Sequence, residues 1–218
     1  MAKDWVGNGN SIYKTLTASN HANSDREEHD YYATPGIAVE KLLARESFDK
    51  YIWEPACGEG HISKISIAHG HDVRNSDIIN RNMKNTEILD FLKVTKRDVK
   101  NKISRDIITN PPYKYGLDFV KKALEISMDS VKIAMLLKIQ FLEGKERGEF
   151  FKENPPKSVY VFSNRIACAI NGDFAQVTTA QGKFKSAACY AWFVWQKGFV
   201  GPCIVDWILD DMLCDEVC

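Results

Sequence analysis

The chain contains 218 residues, 44% of them hydrophobic, and its 29 basic residues balance its 29 acidic ones. That size supports one well-buried core, and the neutral balance excludes a globally basic nucleic-acid binder while still permitting a local basic cleft. Six cysteines without a CxxC pair, and no apolar run near the ~20 residues of a membrane span, predict a cytoplasmic protein with reduced thiols, no bound metal and no membrane partner.

Three parts of the chain differ in composition. Residues 1–30 are polar and predict an N-terminal arm, residues 31–200 carry the patterns of one folded domain, and residues 201–218 are expected to form a C-terminal tail. Within the domain, helical and strand patterns alternate. The predicted elements in chain order are a helix over 35–45, a strand over 51–53, a helix ending at 70, a strand over 72–78, a short strand or turn over 88–92, a strand over 105–109, a helix over 116–128 and strands over 131–137, 158–166 and 188–195.

This alternation predicts an α/β fold with a doubly wound, mostly parallel sheet. Thr34 is the predicted N-cap of the first helix, with Pro35 at its first position. In such sheets ligands bind outside the carboxyl ends of the strands. We therefore expect the functional residues to follow Trp53, Ser76 and Thr109, where three predicted strands end.

The loop over residues 54–60 has the composition of a ligand-binding turn between a strand and a helix. Its small residues allow a ligand to approach the backbone, and the helix that follows offers free N–H groups suited to the carboxylate of a methionine moiety. The loop is neither a GxGxxG dinucleotide motif nor a P-loop. The predicted cofactor-binding residues in this loop are Glu54, Pro55, Ala56, Cys57, Gly58 and Gly60.

Two acidic residues later in the chain complete the predicted cofactor site. Asp77 comes at the end of the second strand of the sheet, where a carboxylate can accept hydrogen bonds from both hydroxyls of a ribose. Asp90 can accept a hydrogen bond from the exocyclic amine of an adenine, and Phe91 can pack against the same ring. Together with the preceding loop, these residues predict a nucleoside-containing cofactor.

The Asn-Pro-Pro-Tyr segment over residues 110–113 is the most specific motif in the chain, and all four residues are predicted to be catalytic. The side-chain oxygen of Asn110 and the carbonyl of Pro111 can both accept hydrogen bonds from one amino group, and Pro112 stiffens the loop. Two acceptors on that amine stabilise the positive charge that develops on its nitrogen during methyl transfer. Tyr113 offers a flat ring on which a base can stack.

These motifs resemble those of the amino-group DNA methyltransferases, specifically the small adenine-N6 enzymes of phages and prophages. The resemblance spans about residues 30–197 and includes the segment over 32–35, which resembles the family motif that covers the methionine end of S-adenosylmethionine. It implies S-adenosylmethionine as cofactor, with Tyr32, Thr34 and Pro35 among its contacts. It also implies a seven-stranded sheet whose last strand is antiparallel, the strands over 158–166 and 188–195 forming a hairpin.

The resemblance further implies that the target adenine is flipped out of the DNA duplex before methylation. Larger members carry a separate domain that reads the DNA sequence, and this chain has no room for one. The segment over residues 167–187 is therefore the expected substrate-binding loop. Its candidate contacts to DNA are Arg165, Lys183 and Lys185.

Other substrates remain open at this stage. The same four-residue motif serves enzymes that methylate a base in RNA, N4 of cytosine or a glutamine amide of a protein, although glutamine enzymes usually lack the Glu-Pro-Ala-Cys loop. A non-catalytic binding module of this fold is a further alternative. The sequence contains no nuclease segment, so we expect this chain to modify without cutting, and it does not indicate an oligomeric state.

Overall fold

The computed structural model describes residues 31–95, 97–99, 103–178, 186 and 188–209. The expected arm over 1–30 and the predicted DNA contacts Lys183 and Lys185 lie outside these residues. The strands are β1 (Tyr32–Ala33), β2 (Tyr51–Glu54), β3 (Asp72–Asp77), β4 (Thr86–Ile88), β5 (Asp106–Thr109), β6 (Lys132–Lys138), β7 (Ser158–Phe162), β8 (Ala169–Ile170), β9 (Tyr190–Gln196) and β10 (Ile204–Ile208). The α-helices are α1 (Gly36–Leu43), α2 (His61–Ala68), α3 (Gly116–Ile126), α4 (Lys145–Glu153) and α5 (Phe174–Val177).

Eight strands form the main sheet, in the order β10-β7-β9-β6-β5-β2-β3-β4. Every neighbouring pair is parallel except those of β9, which runs antiparallel to both β6 and β7. The mostly parallel α/β fold and the antiparallel pairing of the last two predicted strands are therefore confirmed. β1 and β8 form a separate two-stranded antiparallel sheet that the sequence did not indicate.

The sheet has one strand more than the expected seven because β10 joins its edge, beside β7. This strand lies in the segment expected to be a C-terminal tail. Cations in and just after the first helix contact this strand and the residue that follows it: Arg45 pairs with Asp206 and donates to the carbonyl of Trp207 at 2.8 Å, and Lys41 donates to the carbonyl of Leu209 at 2.8 Å. These contacts join residues more than 160 positions apart in sequence, which local patterning does not reveal.

Helices cover both faces of the sheet and produce two cores. On one face, α1 and α2 contribute apolar residues including Val39, Leu42 and Ile62 to a core that also contains Ile108. On the other, α3 packs onto the face that contains Ile107. The described residues include no helix with the length and apolar character needed to cross a membrane.

The first helix begins one residue later than predicted, and a different residue forms its N-cap. Pro35 has the extended backbone of an N-cap (φ −64°, ψ 137°) and provides no side-chain hydrogen bond. Its carbonyl accepts the N–H of Ala38 at 2.9 Å. Thr34 is therefore not the N-cap; its side chain is buried instead, at the edge of the cavity described below.

Truncation at the centre of the sheet should cost far more than truncation at its edge. Ile107 in β5 is fully buried, whereas Ile204 in β10 is 59% exposed. We expect Ile107→Ala to lower the free energy of unfolding by about 2–5 kcal/mol and Ile204→Ala by less than about 1 kcal/mol. Equilibrium denaturant unfolding measures both values, and equal losses would contradict this layered core.

Candidate active site

The functional loops meet where the chain order reverses across the sheet. From β2 the chain moves outward to β3 and β4, then crosses back to β5 on the other side of β2. This reversal leaves a crevice between the carboxyl ends of β2 and β5, as is usual in doubly wound sheets. A cavity of about 710 Å³ opens there, a volume typical of small-molecule sites.

Most of the predicted site residues line this one cavity. The predicted residues in contact with it are Tyr32, Thr34, Glu54, Pro55, Ala56, Cys57, Asp77, Asp90, Phe91, Asn110 and Pro112. The other five predicted residues do not line it: Pro35, Gly58, Gly60, Pro111 and Tyr113. The three motifs of the sequence therefore converge on a single chamber.

Asp77 fixes the shape of the glycine loop. Its Oδ2 accepts the backbone N–H of Gly58 at 2.8 Å, and its Oδ1 accepts that of Ile79 at 3.1 Å. Gly58 adopts a left-handed backbone (φ +53°), which favours glycine. The carboxylate thus supports the loop while facing the cavity, and its remaining lone pairs can accept hydroxyl groups.

Tyr31 covers the same loop and was not anticipated. Its Oη accepts the backbone N–H of Glu59 at 3.3 Å, so one N–H group expected to bind a ligand carboxylate already has a partner. The Arg81 guanidinium lies 4.3 Å from the centre of the Tyr31 ring. Burial raises the pKa of Tyr31 to about 12, so the hydroxyl stays neutral.

Glu54, at the end of β2, is fully buried and holds the start of α2. Its Oε2 accepts the backbone N–H of Ser63 at 2.9 Å and also the Ser63 hydroxyl, which in turn contacts Asn75. Burial raises the pKa of Glu54 to about 8, assisted by the nearby charge of Asp77. A mostly neutral Glu54 does not repel an anionic ligand group in the cavity.

Asp90 and Phe91 form the opposite wall, after β4. Asp90 caps a short 3-10 helix by accepting the N–H of Leu92 at 3.1 Å, and its other oxygen pairs with Lys93 at 3.0 Å. Phe91 is buried and packs edge-on against Trp53, with the ring centres 5.3 Å apart. An acceptor therefore sits beside a fixed aromatic surface, an arrangement that suits a nucleobase.

Asn110 follows β5 and is oriented by hydrogen bonds. Its Nδ2 donates to the carbonyl of Tyr32 at 2.8 Å and lies 3.8 Å from the sulfur of Cys168. Its Oδ1 is buried and has no partner among the described residues. An unpaired buried acceptor is costly, so its persistence at a cavity wall indicates a place for a donor.

Tyr113 is more enclosed than a free stacking surface would be. Its ring packs against Tyr32 and Tyr190, with ring centres 5.3 and 5.9 Å apart, and the ammonium group of Lys138 lies 5.1 Å from its centre. Its hydroxyl is buried beside Cys168 and Tyr190, and this burial raises its pKa. These neighbours occupy part of the ring surface that a stacked base would need.

The loop assigned to DNA lies partly against the cofactor loop instead. A side-chain carbon added at Gly172 would sit 2.6 Å from Oε2 of Glu59, and the Phe174 ring meets that of His61 with centres 5.5 Å apart. Arg165, the described member of the predicted DNA contacts, is exposed and donates to the carbonyl of Ser186 at 2.7 Å.

Several residues that line the cavity were missed by the sequence reasoning. They are Tyr31, His61, Arg81, Lys114, Tyr115 and Phe119. Tyr31, His61 and Tyr115 each lie within two residues of a motif residue, so extending each motif would have found them. Burial lowers the pKa of His61, which favours a neutral imidazole on the cavity wall. The described residues contain no cluster of side chains able to hold a metal ion.

Several solved structures that share this fold are described as methyltransferases. One is a predicted O-methyltransferase from Agrobacterium tumefaciens, with 13% identity, TM-score 0.53 and coverage of 81% of this chain and 86% of that one. A Listeria monocytogenes protein assigned to the class I S-adenosylmethionine-dependent methyltransferases has 14% identity, TM-score 0.52 and coverage of 91% and 70%. The methyltransferase subunit of a type I restriction-modification system from Streptococcus thermophilus has 12% identity, TM-score 0.53 and coverage of 84% and 48%.

Our chain thus spans about half the length of that restriction-modification subunit. The sequence matches no protein-family model, and no curated protein matches it. At these identities the likeness concerns the fold. The chain therefore has the Rossmann-like fold of the class I methyltransferases, as its α/β topology and antiparallel hairpin require.

Alanine substitutions at Gly58 and Gly70 should distinguish the effect of displacing Tyr31 from the strain of a left-handed backbone. An added carbon at Gly58 would sit 2.3 Å from the Tyr31 ring, whereas at Gly70, also in a left-handed conformation (φ +87°), it would meet nothing within 4 Å. We expect Gly58→Ala to weaken S-adenosylmethionine binding by at least about tenfold, and Gly70→Ala to leave it unchanged. Isothermal titration calorimetry measures this, and equal affinities of the two variants would refute it.

The raised pKa of Glu54 predicts a pH-dependent stability. The folded protein holds this proton up to about pH 8, whereas the unfolded chain releases it near pH 4.5. Stability from this group is present below the unfolded pKa and falls as pH rises toward 8, by up to about 1.4 kcal/mol per pH unit. Denaturant unfolding at pH 5, 6 and 7 should show Glu54→Gln gaining on the wild type as pH rises, whereas a constant difference would contradict a protonated Glu54.

Proposed function

We propose that this chain is an S-adenosylmethionine-dependent methyltransferase that acts on N6 of adenine in DNA, with the target base flipped into the cavity. One observation carries this proposal: the Oδ1 of Asn110 is buried and has no partner among the residues that the structure describes, and Asn110 lines a cavity that also contains acidic groups suited to a nucleoside. The residue types and their placement support each part of the proposal separately.

The cavity residues fit S-adenosylmethionine. In this proposal Asp77 accepts the ribose hydroxyls, Asp90 accepts the adenine amine and Phe91 packs against the adenine ring. Neutral Glu54 does not repel the methionine carboxylate, and the left-handed Gly58 shapes the loop whose residues Ala56 and Cys57 line the cavity. When bound, the cofactor supplies an activated methyl group on a sulfonium sulfur.

Catalysis in this account depends on hydrogen-bond acceptors. Asn110 Oδ1 and the carbonyl of Pro111 accept the two hydrogens of the target amine and stabilise the positive charge that develops on its nitrogen. Pro112 limits the motion of the loop, so the acceptors are already in place before transfer. No general base is needed before attack, because the methylated, cationic nitrogen is acidic enough to lose a proton afterwards.

Three cations that line the cavity support a nucleic acid as the substrate. Arg81, Lys93 and Lys114 all line the cavity, although the chain as a whole has no net charge. Groups of this kind attract phosphates and make binding depend on salt. The choice of DNA over RNA rests on the resemblance of the motifs and not on the fold, which a protein described as an RNA methyltransferase from Pyrococcus horikoshii also has at TM-score 0.51.

The amide of Asn110 should be required for transfer and not for cofactor binding. We expect Asn110→Ala to lower the rate of methyl transfer by about 10²–10³-fold while the Kd for S-adenosylmethionine stays within about twofold, because the lost acceptor acts on the transition state. The assay follows labelled methyl groups from S-adenosylmethionine to unmethylated plasmid DNA, with mass spectrometry of the nucleosides.

Each outcome of that assay distinguishes one substrate. N6-methyladenine that the wild type forms and Asn110→Ala does not form supports the proposal. N4-methylcytosine would show that the target base is cytosine and not adenine. Cofactor binding without transfer to DNA would redirect the assay to RNA or to a protein glutamine. A wild-type chain that does not bind S-adenosylmethionine would overturn the proposed activity and favour a binding module.

A further inference from the structure

The two amide hydrogens of Asn110 point at one structural unit. One is donated to the carbonyl of Tyr32, 2.8 Å from Nδ2, and the other faces the sulfur of Cys168 at 3.8 Å. Tyr32 belongs to β1 and Cys168 immediately precedes β8, and these two strands pair with each other. The amide is therefore contacted by one strand of the small second sheet and by the residue immediately before the other.

The carbonyl of Tyr32 determines which way the amide points. A backbone carbonyl can only accept a hydrogen bond, so the amide group facing it must be the NH2. The opposite orientation would bring Oδ1 to the distance now occupied by Nδ2, 2.8 Å from another oxygen with no proton between them. In this orientation Oδ1 has no hydrogen-bond partner within the part of the chain that the structure describes.

Cys168 is held firmly enough to act as the second acceptor. Its side chain is buried, as part of the core on the α1 and α2 face of the sheet, and it lies beside Tyr113 and Tyr190. Burial raises the pKa of this thiol to about 11, so the sulfur remains a neutral S–H group. A thiol sulfur accepts weakly, which suits a group that fixes an orientation without competing with the Tyr32 carbonyl.

We propose that the β1–β8 sheet orients the Asn110 amide, with Cys168 as a positioning residue that keeps Oδ1 directed at the reacting amine. This inference rests on the proposed function, because it requires an amine donor at Oδ1. The segment around β8 then has two roles. It lies against the cofactor loop, and it orients the catalytic hydrogen-bond acceptor.

The test compares Cys168→Ala with Cys203→Ala. Both residues are free cysteines whose sulfur lies 3.8 Å from its polar neighbour, but Cys203 contacts the carbonyl of Ile204, away from Asn110. Methyl transfer to DNA is measured under single-turnover and steady-state conditions. We expect Cys168→Ala to lower kcat by about 3- to 10-fold with KM for both substrates unchanged, and Cys203→Ala to match the wild type.

A conservative variant separates positioning from packing. Cys168→Ser keeps a small group that can accept the amide hydrogen, so we expect it to recover most of the lost kcat. The affinity for S-adenosylmethionine, measured by calorimetry, should be the same in all four proteins, because Cys168 does not line the cavity. A parallel fall in kcat and cofactor affinity would show that Cys168 only supports packing and would overturn the positioning role.

Failure of this inference is distinguishable from failure of the proposed function. If the wild type methylates an amino nitrogen and Cys168→Ala has an unchanged kcat, the positioning role is wrong and the function stands. If the wild type binds the cofactor but methylates no amino nitrogen in DNA, RNA or protein, both are overturned. A kcat loss in Cys168→Ala that Cys168→Ser does not recover would also contradict the role of an acceptor at this position.

Discussion

The parallel pairing of β2 with both β3 and β5 is the constraint on which the rest of the site depends. It brings the carboxyl ends of three strands side by side, so Glu54, Asp77 and Asn110 face one crevice although they lie far apart in sequence. No loop has to reach across the molecule to assemble the chamber. The ligand edge of the sheet is set by topology, and the side chains supply the chemistry.

The site holds several polar groups in states that cost stability. Glu54 is buried with a raised pKa, and Asn110 keeps an acceptor without a partner, an arrangement that costs about 1–3 kcal/mol for such a group. Fully buried apolar side chains such as Trp53 and Ile107 offset this cost in the core beneath. In the proposed mechanism a donor on the substrate relieves the Asn110 cost, which favours the bound and reacting state.

Much of this architecture could be predicted from local sequence patterns. Asp77 and Asn110, expected where predicted strands end, both line the cavity, because a side chain at the end of a parallel strand needs no tertiary information to be assigned to that edge. What the sequence could not indicate depends on distant contacts. β10 is held by Arg45, and the pairing of β1 with β8 joins residues near 32 and 170, so neither has a local pattern. The enclosure of Tyr113 likewise results from residues on other elements.

The most direct test of the central claim is a crystal structure of the chain with S-adenosylhomocysteine and a DNA duplex that contains its target adenine. The account predicts a flipped adenine whose N6 lies within 2.7–3.2 Å of Asn110 Oδ1, while Nδ2 still donates to Tyr32. It also predicts Asp77 at the ribose of the cofactor. A complex in which Nδ2 faces the base, or in which the cofactor lies outside the crevice between β2 and β5, would contradict it.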